Sequence, residues 1–76
     1  MVKVEKVIEK LRFSKGTVNF SDVKRAAEFF GYTSDRVSGS HHIFIAQGRN
    51  HLVIPVHKNK VKVIYVKKLF EEVGLG

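Results

Sequence analysis

Apolar residues recur at helical spacing in the first third of the chain and at strand spacing in the middle. Val4, Val7, Ile8 and Leu11 are separated by Lys3, Glu5, Lys6, Glu9 and Lys10, which predicts an amphipathic helix ending near Phe13. Ser14-Lys15-Gly16-Thr17 reads as a turn. A second helix is expected to open at Ser21 or Asp22, both good N-caps, and Asp22 also suits the positive end of the helix dipole. Val23, Ala26, Ala27 and Phe30 form its buried stripe, and Gly31 ends it as the residue after the C-cap.

From Tyr32 the period changes. Tyr32 to Val37 reads as a short strand, though Thr33, Ser34 and Asp35 are poor strand formers. Ser38-Gly39-Ser40 turns the chain, and His41 to Ala46, rich in Ile and Phe, is a second strand. After a loop at Gln47-Gly48-Arg49-Asn50, His51 to Val56 returns as a third. In that return Leu52, Ile54 and Val56 alternate with His51, Val53, Pro55 and His57, one set for the core and one for an open face. Pro55 has no ladder donor, so the strand is at an edge there or ending. Val61 to Val66 alternates like a strand, whereas Val66, Leu69, Phe70 and Val73 fit a helical stripe stopped by Gly74. An extended approach through Val63 and a helix from about Ile64 is the expectation. That puts Lys67 and Lys68 early in the helix, where the dipole disfavours cations. The order α-α-β-β-β-α describes a small α+β fold with a three-stranded antiparallel sheet and helices on one face.

Hairpin register decides where His41 points. A three-residue loop at Gly48-Arg49-Asn50 sets Phe44 opposite Ile54 and His41 opposite His57, with both histidines on the open face. A two-residue loop reverses the parity and turns His41 to the core. The first register is preferred because it buries Phe44. On either register His42 takes the face opposite to His41, and in the preferred one it packs inward. His51 reads as plain surface.

Composition adds a direction. Seventy-six residues make one domain (residues 1–76), and with no cysteine there is no disulfide, thiolate nucleophile or cysteine zinc site. The net charge is +7, and no acidic residue falls between Asp35 and Glu71, an interval that holds all four histidines and seven lysines and arginines. A one-signed field of this kind attracts a polyanion or an acidic partner. No signal-like or membrane-spanning apolar run is seen, so a cytoplasmic protein without membrane attachment is expected. With no acid in the interval, a Ser-His-Asp triad would need Asp35 or a distant carboxylate, and a metal at His41 and His57 would lack a third ligand. Neither a metal nor a small-molecule cofactor is therefore expected. RNA cleavage needs less: the 2′-hydroxyl is already the nucleophile, and the protein must move two protons and offset charge on the phosphorane. Histidines among lysines suffice for that, and suffice equally for plain phosphate binding. A non-catalytic RNA-binding module and a basic protein-interaction domain remain open alternatives.

Gly39-Ser40-His41-His42-Ile43-Phe44, followed by Val53-Ile54-Pro55-Val56-His57 and preceded by Gly31-Tyr32 at a helix end, resembles the HicA family. These are small messenger-RNA-cleaving toxins of prokaryotic toxin–antitoxin pairs. The resemblance covers residues 19–75 and leaves 1–16 as an N-terminal helical extension. It implies a fold like a double-stranded-RNA-binding domain, metal-independent endoribonuclease activity, and inhibition by a HicB-like antitoxin covering the active surface. The family's catalytic histidine directly follows Gly-Ser, which falls on His41, and the Pro-Val-His histidine falls on His57. Contacts to RNA are expected from Gly39 and Ser40 in the turn and from Lys58, Lys60, Lys62 and Lys67. Many members open the last helix with Gly-Thr-Leu-Arg; this chain has Ile64-Tyr65-Val66-Lys67, which resembles a Tyr-Val-Arg version with Lys67 in the arginine's place.

Overall fold

A computed structural model describes residues 3–75. The chain runs α1 (Val4–Arg12), β1 (Thr17–Asn19), α2 (Phe20–Phe29), β2 (Thr33–Ser38), β3 (His41–Ile45), β4 (Leu52–Pro55), β5 (Lys60–Lys62) and α3 (Val63–Glu72). Strands β2, β3 and β4, in that order, form the expected antiparallel sheet. Val7, Ile8 and Leu11 of α1, Val23, Ala26 and Ala27 of α2, and Val66, Leu69 and Phe70 of α3 share one core with Phe44, Leu52 and Ile54 of that sheet. One sheet face is thereby covered and the other is open.

A second sheet, the two-stranded ribbon β1–β5, is not legible in the sequence. Each of its strands has three residues with one buried side chain, Val18 and Val61, which face each other. A single inward residue sets up no readable alternation, so Thr17 reads as turn when it is strand. The ribbon also moves both following helices forward. Helix α2 opens at Phe20 with Asn19 as N-cap, not at Ser21 or Asp22, and α3 opens at Val63, not Ile64. Neither N-cap side chain caps its helix. The Asn19 Oδ1 accepts a 2.5 Å bond from Lys60 Nζ instead, and a lysine at position 62 has no acceptor to offer. The ribbon supplies the missing partners from its backbone, reciprocally. Phe20 N–H donates to Asn59 O (2.8 Å), just before β5, and Val63 N–H donates to Gly16 O (2.9 Å), just before β1.

The earlier start of α3 makes Lys67 and Lys68 its fifth and sixth residues. Dipole effects fade beyond the first turn, so the expected penalty there does not arise. At the other end of α2, Gly31 is the residue after the C-cap, as expected, with φ +94°. Gly31 N–H bonds Glu28 O (3.1 Å) and Tyr32 N–H bonds Ala27 O (3.0 Å), the paired bonds of a Schellman stop. Tyr32 is thereby delivered into the core, 1% exposed. Among the described residues no helix is long and apolar enough to cross a membrane.

Candidate active site

His41 owes its position to a tight turn. Ser38 and His41 face each other across two residues, Gly39 and Ser40, and Gly39 takes φ +60° at the first of them, where a type II′ hairpin wants glycine. A Cβ at Gly39 would meet nothing within 4 Å, so the backbone angle is what calls for glycine there. His41 therefore enters β3 exposed at the end of the sheet.

The β3–β4 register differs from the expected one. Phe44 faces Leu52, not Ile54, and His41 faces Pro55, not His57. The slide is two residues, so parity survives: Phe44 is fully buried and His41 remains on the open face with Ile43, Ile45, Val53 and Pro55. Its cause lies at the far end of the hairpin. Asn50 N–H donates to Glu72 Oε1 (3.0 Å), Asn50 Nδ2 to Glu72 Oε2 (3.3 Å) and Arg49 Nη1 to Glu72 O (2.6 Å). Docking on the C-terminal end of α3 withdraws Arg49 and Asn50 from a minimal turn, so the loop lengthens to 46–51.

Past Pro55 the pairing runs one step further, with Val56 N–H on Ser40 O at 2.7 Å. His57 follows two residues after Pro55, the cross-strand partner of His41. His57 and Lys60 exchange both backbone bonds, 3.0 and 2.8 Å, around Lys58 and Asn59, whose φ values are +50° and +64°. Two positive φ angles in a two-residue loop make a type I′ turn, and it swings the chain from β4 into the ribbon.

That swing creates a cleft of about 150 Å³ lined by Thr17, Pro55, His57, Lys60, Lys62 and Tyr65. It gathers His57, Lys60 and Lys62 from the expected site residues, and His41 stands beside it as the cross-strand neighbour of Pro55. Gly39 and Ser40 form the turn next to it. Lys58 occupies the I′ turn outside the lining, and Lys67 lines a shallow groove with Gly16, Thr17, Lys62, Val63 and Ile64. Thr17 and Tyr65 also line the cleft and were not among the expected site residues. Lys68 Nζ lies 5.4 Å from the Tyr65 ring centroid, an i, i+3 cation–aromatic pair whose spacing on the exposed side of a helix was the available signal.

The other two histidines are elsewhere. His42 is half-buried on the covered side with its ring 4.4 Å from that of Phe20, and His51 is exposed at the β3–β4 loop. Among the described residues the only ion pair is Lys10–Asp22 at 3.5 Å, and neither partner lines the cleft. No carboxylate lines the cleft, and no group of three or more His, Cys, Asp or Glu side chains converges on a metal position among the described residues. What remains is a concave basic surface with His57 and Tyr65 in its wall and His41 beside it. Such a surface can bind a phosphodiester and exchange protons with it.

A basic α+β domain with exposed histidines beside a lysine-lined cleft is the class of protein defined so far. A family model described as "HicA toxin of bacterial toxin-antitoxin" matches residues 20–75, about three-quarters of the 76-residue chain, and the chain belongs to that family. The match contains the cleft except for Thr17, and leaves α1 and β1 outside it. Neither the curated proteins nor the solved structures gave a match to this chain.

Proposed function

We propose that this protein is an endoribonuclease toxin that cleaves messenger RNA in the cytoplasm by histidine acid–base chemistry, without a metal, and is silenced by a HicB-like antitoxin. One observation carries the reading: His41 faces Pro55 at the rim of a cleft whose wall contains His57, Lys60 and Lys62 and no carboxylate. One imidazole takes the proton from a ribose 2′-hydroxyl, and the oxygen attacks the adjacent phosphorus. The other imidazole donates a proton to the departing 5′-oxygen. The lysines offset charge on the phosphorane. Membership in the HicA family supports the toxin part of this reading.

The antitoxin would cover the open sheet face. That face carries Ile43, Ile45, Val53 and Pro55 flanked by Arg36 and His41, and Val53 is 48% exposed. An apolar strip with basic flanks suits an acidic partner with apolar side chains.

Purified protein in excess chelator is expected to cleave single-stranded RNA. The same RNA carrying 2′-deoxy substitutions should resist. His41→Ala should lower the rate by about 10²–10⁴-fold, the usual contribution of one proton-transfer group, with an unchanged circular dichroism spectrum. Wild-type activity in a folded His41→Ala protein would remove the catalytic assignment. Binding with a steep salt dependence but no cleavage by the wild type would leave an RNA-binding module.

A further inference from the structure

We propose that the Tyr65 cleft is a subsite for one unstacked nucleotide of single-stranded RNA, with the base stacked on Tyr65 and the phosphate between Lys60 and Lys62. The inference rests on the reading of the protein as RNA-cleaving and adds a feature of the substrate to it, namely a splayed-out base beside the cleavage point.

Size is the first argument. A space of about 150 Å³ is that of an engineered cavity known to accept benzene, so it takes one ring system and not a base pair. Chemistry is the second. Tyr65 is half-buried and presents an aromatic wall, while the Lys68 ammonium already stands over its ring. Pro55 adds an apolar surface, and Thr17 adds a hydroxyl able to donate to or accept from a base edge.

The third argument is the arrangement of charge. On the ribbon, Thr17 faces Lys62 and Asn19 faces Lys60, and these four side chains share the exposed side while Val18 and Val61 point inward. Lys60 is held by the 2.5 Å bond to Asn19 Oδ1, which fixes the stem of one ammonium at the cleft wall. The lining thus combines two lysines and a histidine with one aromatic and no competing acid. Proteins that bind single strands use this combination: cations for the backbone, an aromatic platform for the base. A phosphate site alone would not need the aromatic wall. Pro55 belongs to the same lining and its cross-strand partner is His41, so the phosphodiester held by Lys60 and Lys62 is the one presented to the proposed catalytic residue.

The test uses the full chain carrying His41→Ala, so that RNA is bound and not consumed. The probe is a short single-stranded oligoribonucleotide, alongside the same oligonucleotide with an abasic position scanned along it and a duplex of equal length. Tyr65→Leu is expected to weaken single-strand binding roughly ten- to a hundredfold, the worth of one stacked base, while Tyr65→Phe keeps affinity within about twofold. Duplex binding should be unaffected by Tyr65→Leu. One abasic position should lower affinity for the parent protein and not for the Tyr65→Leu protein. Lys62→Met should reduce the slope of log affinity against log salt by about one, with or without the base. If Tyr65→Leu binds like its parent, or loses as much with duplex as with single strands, the subsite is overturned. Cleavage by the protein with His41 restored is scored separately. Failure of the subsite leaves the catalytic reading standing, and failure of His41 as the catalytic residue leaves the base-stacking result standing.

Discussion

Lys58 is the residue whose conformation and identity disagree most. Its φ of +50° lies in the left-handed region, which costs an ordinary L-residue about 1–2 kcal/mol and which asparagine and glycine tolerate. A type I′ turn usually has Asn-Gly in these places; here it has Lys58-Asn59. A local rule broken without a structural return points to a functional one, and a cation at the tip of a turn beside the cleft is useful to an RNA-binding surface. Lys58→Asn is therefore expected to raise stability by up to about 1 kcal/mol in urea titrations. It should also weaken RNA binding and flatten its salt dependence. A stability loss would mean that the lysine side chain holds the turn by contacts of its own.

At the scale of elements, the chain outside the family match is part of the core. Leu11 is 2% exposed, and Val7 and Ile8 of α1 join the same cluster as Leu69 and Phe70. Leu11→Ala should cost about 2–5 kcal/mol, comparable with Leu69→Ala, measured by chemical denaturation. A loss below about 1 kcal/mol would demote α1 to a peripheral helix. This helix was readable because its apolar residues repeat over more than two turns, and so were the stripes of α2 and α3. Hairpin parity was readable for the same reason, since Leu52 and Ile54 alternate with Val53 and Pro55. The register itself was not. It is set by Glu72, which takes the Asn50 N–H from a distant helix end, and no pattern near the hairpin announces that bond. The irregular edge strand β2 is a similar case. A bulge between Ser34 and Arg36 leaves Asp35 as the extra residue and sets Arg36 opposite Ile43, which explains why the stretch made a poor strand on paper. His41 and His57 were candidates from strand alternation and the family resemblance, and Lys60 and Lys62 from the acid-free basic interval. Thr17 and Tyr65 were not, because only the ribbon brings their elements to the same cleft.

For the molecule as a whole, the loop-to-helix clamp around Glu72 links stability to pH. Tyr32 donates its hydroxyl proton to Asn50 O at 3.3 Å, next to that clamp. Burial raises its pKa above the ordinary 10.0, the Glu72 carboxylate raises it further, and Arg49 opposes them. The folded protein therefore holds this proton more tightly than the unfolded chain does. The resulting stability is present below about pH 10 and disappears as pH rises from the unfolded value through the higher folded one. Tyr32→Phe should cost roughly 0.5–1.5 kcal/mol near neutrality for the lost hydrogen bond. It should also remove this part of the alkaline decline, so the curves of wild type and variant converge as pH rises. Parallel curves in a pH series of urea titrations would show that Tyr32 does not carry the linkage.

The ribbon has a consequence for the order in which the protein comes into being. Thr17 and Lys62 stand face to face, yet most of the chain separates them in sequence, and the cleft also needs Lys60 and Tyr65. Chains are made from the N-terminus, so a growing polypeptide acquires His41 and its glycine turn well before it can close β1 on β5. In the interval, the second helix start lacks the Asn59 carbonyl that satisfies it in the finished fold. A half-made chain thus carries the proposed chemical group with no place to hold RNA against it. The histidine is made first, and the cleft beside it closes only once Lys60, Lys62 and Tyr65 have followed.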